Sequence, residues 1–161
     1  MLYSARGREL CKLARELIKD LKKENPNMQI RGLTRAETNM FFAAARGGNA
    51  ECSFGGPTLE SDSEWGCWET WDKKDRLIRA EVLRWLCTTA QALALVHPRG
   101  IHIRDALIKG VCRRERAGDL DIDLDDAKLP FSFYLWKCAI PVACSPKIVP
   151  VWIRGYPIKP I

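Results

Sequence analysis

IDLDDAKLPFSFYLWKCAI, residues 122–140, places apolar residues two apart and repeats that pair about every five residues: Ile122/Leu124, Ala127/Leu129, Phe133/Leu135 and Cys138/Ile140. The same pairing stands upstream as Ile101/Ile103 and Ala106/Ile108. A period of two puts both members of a pair on one face of a strand. Two inward residues per five, with a corner between pairs, is the spacing of a square right-handed β-helix in which each side takes one pentapeptide. Coils of this kind bury their apolar interior only by stacking on one another, so the pattern specifies an architecture and no chemistry.

Working outward, the period changes from 2 to 3.6 upstream of His97-Pro98-Arg99-Gly100. Residues 4–24 form an amphipathic pattern, with Leu10, Leu13, Ala14, Leu17, Ile18 and Leu21 on one stripe. Asn25-Pro26-Asn27 ends it, since proline offers no N–H and biases the residue before it away from the α region. Thr34 and Glu37 have capping-box spacing and predict a second helix over 34–47, stopped by Gly47-Gly48. From Gly48 to Trp71 the sequence predicts an irregular loop, whose Trp65, Trp68 and Trp71 cover an apolar end of the core or a partner. A third helix is predicted over 72–87 from the stripe Ile78, Val82, Trp85 and Leu86, and a short helix or turn leads from Thr89 to Val96. The resulting organisation is a mainly helical cap over 1–96, short β-helix coils over 97–145 and a Pro-rich tail over 146–161. The fold class is α+β, with N-terminal helices capping a short right-handed parallel β-helix.

WDKKDRLIRAEVLRWLC followed by VHPRGIHIRDALIKG resembles a group of poorly characterised bacterial proteins in which an Arg- and Glu-bearing helix leads through an H-x-x-G strand into pentapeptide-type coils. Arg76, Ile78, Arg79, Ala80, Glu81, Val82, Arg84, Trp85 and Leu86 match the helix. His97, Gly100, Ile101 and Ile103 match the strand, and Leu129-Pro130-Phe131 the coil signature. The resemblance covers about residues 34–140 and implies a β-helix scaffold, here a short or truncated member. Some such proteins are described as membrane-associated oxidoreductases, yet this sequence has no dinucleotide fingerprint, flavin motif or metal cluster. Between Ile108 and Leu124 the spacing is sixteen residues where about six would continue a coil, so about ten residues near Val111–Leu120 read as an insertion. Prolines 141, 146, 150, 157 and 160 are expected to forbid a regular ladder after Ile140.

The 161 residues, 47% hydrophobic and 29% charged, suffice for one domain with its own core. No run approaches the roughly 20 apolar residues of a membrane span. The N-terminus carries charges throughout rather than a signal-peptide core, which makes a cytoplasmic protein the expectation. Seven cysteines lie scattered with no C-x2-C pair, so buried reduced thiols are expected rather than a zinc site. The net charge of +6 is uneven: residues 1–50 hold ten basic and five acidic side chains, 51–72 none and six, 73–116 eleven and four, and 117–161 five of each. Two basic blocks therefore flank an acidic, Trp-rich segment, which favours an anionic partner or lets the blocks pack against that segment.

Five groups of residues are weighed for function. Arg76, Arg79, Glu81 and Arg84 offer an anion-binding or catalytic face, but successive spacings of three, two and three spread them around the helix, and the simpler reading is a buried or half-buried ion pair that fixes the helix against the coil mouth. Arg113, Arg114 and Arg116 in the insertion, with Arg6, Arg8, Lys12, Arg15, Lys19, Lys22 and Lys23 of the first helix, offer phosphate contacts; Glu9, Glu16, Asp20 and Glu24 dilute that helix to +3. Leu10, Leu13 and Leu17, with Trp65, Trp68 and Trp71, offer apolar contact surface. His97 and His102 read as turn histidines. Asp119, Asp121, Asp123, Asp125 and Asp126 read as the wet face of a strand, because Leu124 and Pro130 stand where an EF-hand needs glycine and glutamate. No catalytic constellation or cofactor motif stands out. The leading expectation is a non-enzymatic scaffold or protein-interaction module that binds a protein partner or self-associates. The alternative is a salt-sensitive nucleic-acid binder, and the third reading a cysteine hydrolase on Cys87, His97 and an acid.

Overall fold

The computed structural model describes residues 2–27, 32–54, 73–109, 132–136, 138–142, 145–148 and 151–154. The chain is mixed helix and strand, of the α+β class. Helix α1, Leu2–Glu24, buries Gly7, Leu10, Cys11, Ala14, Ile18 and Leu21. Apart from the adjacent Leu10 and Cys11 these fall three or four apart, so one stripe faces inward, and it packs on α2, Arg35–Arg46. Small residues at the crossing let the backbones approach: a Cβ on Gly7 would stand 2.4 Å from the Phe42 ring.

Helix α2 begins with a complete capping box. Thr34 accepts from the Glu37 N–H through its hydroxyl, and the Glu37 carboxylate accepts from the Thr34 N–H. The helix ends at Gly47, whose left-handed backbone (φ 78°) suits glycine alone at low cost. The His97 ring lies over Gly47, 2.5 Å from where a Cβ would be, and the His97 N–H donates to Ala44 O.

Beyond α2 the chain runs β1 (Asn49–Glu51), α3 (Lys73–Arg76), β2 (Leu77–Arg79), α4 (Ala80–Thr88), α5 (Ala90–Leu93), β3 (Ile101–Arg104), β4 (Leu107–Lys109), β5 (Ser132–Trp136), β6 (Ala139–Val142), β7 (Ser145–Ile148) and β8 (Val151–Arg154). The strands make two four-stranded sheets, ordered β1-β3-β5-β8 and β2-β4-β6-β7. Through β6, successive strands alternate between the sheets, and every pairing among these six is parallel. Register stacks like on like: Ala50, Ile103 and Leu135 in one ladder, Ile78 on Ile108 in the other. The side chains of Ile101, Ile103, Ala106, Ile108, Phe133, Leu135 and Cys138 are all buried and line the core, while the pairs Ile122/Leu124 and Ala127/Leu129 lie outside the described residues.

Three expectations are corrected. First, the helix expected over 72–87 is broken by strand β2. Leu77, Ile78 and Arg79 are all buried, Ile78 pairs with Ile108, and the Arg79 N–H goes to Glu37 Oε1 rather than to a helical carbonyl. No proline or glycine marks the break; a carboxylate 42 residues earlier in the chain competes for the backbone donor. Second, the loop expected from Gly48 to Trp71 contains β1, and with β2 it carries the sheets into the segment expected to be helical cap. A three-residue strand is too short to show a period. Third, the prolines do not prevent pairing after Ile140. β7 and β8 run antiparallel to β6 and β5, with Pro141 opposite Pro146. Pro146 lies in β7, the last strand of its sheet, where a missing N–H on the outer side costs no ladder bond, and Pro141 lies beyond Ala139, the β6 residue that pairs with β4. The insertion near 111–120, the aspartates at 119–126 and the loop tryptophans lie outside the described residues.

Candidate functional site

The densest polar arrangement among the described residues is where α2 meets β2. Glu37 is 0% and Arg79 1% exposed. The guanidinium donates twice, Nε to Glu37 Oε1 at 2.8 Å and Nη2 to Oε2 at 2.6 Å, a fork-on-fork pair. The same carboxylate accepts the Arg79 N–H at 3.0 Å and the Thr34 N–H at 3.0 Å. Arg79 Nη2 also donates to Gly32 O, and the Thr34 hydroxyl donates to Leu77 O. A capping box thus serves two elements at once, closing the first turn of α2 and gripping both ends of β2. Burying a charge pair this deep is tolerable only because its lone pairs and protons are so fully used. At 0% and 1% exposure the pair ties the start of α2 to β2.

A second buried cluster lies at the corner between the sheets. Arg76, 4% exposed, donates to Ser53 O at 3.2 Å. Burial lowers its pKa, and Asp105, Cys52 and Asp75 oppose that by favouring the cation. Asp105 takes a left-handed backbone (φ 55°) at the corner from β3 to β4, and its side chain is 3% exposed; aspartate tolerates that conformation better than most residues. Burial, then the neighbouring Cys138 and Asp105, push the Cys52 thiol well above its ordinary range.

Arg76, Arg79, Glu81 and Arg84, spread by successive spacings of three, two and three, do not share one face. Arg76 and Arg79 point inward, Glu81 is half-buried and Arg84 is exposed. The ion pair that locks helix to strand is formed by Arg79, and its carboxylate is Glu37 rather than Glu81. Leu10 is fully buried and belongs to the core, which corrects its expected place on a contact surface, while Leu13 and Leu17 are half-buried at the edge of the same stripe. Arg6, Arg8, Lys12, Arg15, Lys19, Lys22 and Lys23 are all exposed, with Lys19 and Lys23 paired to Glu16 and Asp20. Trp65, Trp68, Trp71, Arg113, Arg114 and Arg116 lie outside the described residues.

Cys87 and His97, weighed in the sequence as a nucleophile and base, stand in different settings. Cys87 is 1% exposed, and burial pushes its pKa up to about 12, the opposite of activation. His97 Nδ1 accepts the Arg99 N–H at 3.1 Å, and the His97 carbonyl accepts the Gly100 N–H. His102 Nε2 lies 2.9 Å from Arg99 O, to which it donates. Both rings therefore hold the turn that launches β3. Among the described residues no group of three or more His, Cys, Asp or Glu side chains could hold a metal ion, and no described helix is long and apolar enough to cross a membrane.

On the face of α2 turned away from the core runs a shallow groove of about 440 Å³, lined by Leu33, Thr34, Arg35, Thr38, Asn39, Phe42 and Phe54. Leu33, Phe42 and Phe54 are only partly buried. The Arg35 guanidinium lies 4.0 Å above the centroid of Phe54 and 3.7 Å from Asp75. Sequence patterning missed this groove, because its apolar walls come from three separate segments and Phe54 follows a strand too short to recognise. Comparison with protein-family models, with curated proteins and with solved structures finds no match.

Proposed function

We propose that the chain is a non-enzymatic scaffold, a protein-interaction module built on a short right-handed β-helix whose open end is closed by helices. The supporting observation is the alternation of β1 to β6 between two parallel ladders, in register, with α2 clamped to the first coil through Glu37 and Arg79. A coil that ends in space exposes its ladder edges and apolar interior, and a bound helix hides both. On this reading the polar residues that drew attention in the sequence are spent on construction, and the resemblance to bacterial pentapeptide-type proteins is one of architecture. The contact surfaces lie on the outer faces of the helices and the coil walls.

The second reading is nucleic-acid binding, favoured by the seven exposed basic residues of α1. Light scattering coupled to size exclusion, at low and at high salt and with nucleic-acid absorbance read on the same peak, separates the two. The scaffold reading predicts a peak free of nucleic acid whose mass does not depend on salt. Nucleic acid that co-elutes at low salt and is lost at high salt, in proportion to the phosphates neutralised, would replace it with the second reading.

A further inference from the structure

We draw no further inference here: the strongest candidate, the shallow groove on α2 walled by Leu33, Phe42 and Phe54, carries nothing, because Arg35 of its lining already pairs with Asp75 and nothing in the structure shows what covers it.

Discussion

Glu37 joins the start of α2 to strand β2. Its two oxygens accept from Thr34 N, Arg79 N, Arg79 Nε and Arg79 Nη2. Removing the carboxylate charge leaves a buried guanidinium uncompensated, so Glu37→Gln is predicted to cost about 3–5 kcal/mol in urea unfolding. In a double-mutant cycle with Arg79→Met the two losses should not add, since each variant breaks the same interaction. Cys87 sets a pH dependence. Its folded pKa of about 12 stands above the ordinary 9.0, so between those values the unfolded thiol loses its proton first. The unfolded state then binds fewer protons, and stability falls as pH rises from about 9 toward 12. Cys87→Ala should remove one thiol's share of that slope, and the native thiol should react with a disulfide reagent only on unfolding. The capping box itself was legible from Thr34 and Glu37. The second task of Glu37 was not, because the pattern of one helix start says nothing about a partner 42 residues away.

Among the elements, β2 is the instructive one. LIRAEVLRWL has apolar residues at helical spacing and no breaker, and local propensity favours a helix through it. The chain is strand at Leu77–Arg79 because three backbone or side-chain partners outside the segment prefer it so: Thr34 at Leu77 O, Glu37 at Arg79 N, and β4 along the ladder. Thr34→Ala removes both a helix cap and a buried donor to β2, and is predicted to cost about 2–3 kcal/mol. Its heat-melting transition should remain single, since cap and strand share the residue. Gly47→Ala places a Cβ at φ 78° against the His97 ring and should cost more than about 1 kcal/mol. By contrast, α1 and α2 were readable from period and caps, since their signals are contained within the elements. Strand β1 gave no signal, as three residues cannot display alternation.

At the scale of the molecule, two kinds of repeat meet: helices on a 3.6-residue period and strands that put one inward pair on each side. The pairs Ile101/Ile103, Ala106/Ile108 and Phe133/Leu135 are written plainly in the sequence and are buried in the structure. What the sequence left hidden is that the first two strands, β1 and β2, lie among the helices in chain order. Antiparallel strands β7 and β8 then end both sheets. Glu37, Arg76, Arg79 and Asp105 are buried inside this arrangement, and the basic residues of α1 lie exposed on it.

The most direct test is a map of backbone contacts by nuclear Overhauser effects in the uniformly labelled chain. Parallel cross-strand contacts are predicted between residues 49–51 and 102–104, between 77–79 and 107–109, and between 101–104 and 133–136, with helical i,i+3 contacts interrupted at Leu77–Arg79. Unbroken helical contacts from 72 to 87, with no contact from Ile78 to Ile108, would contradict the capped coil.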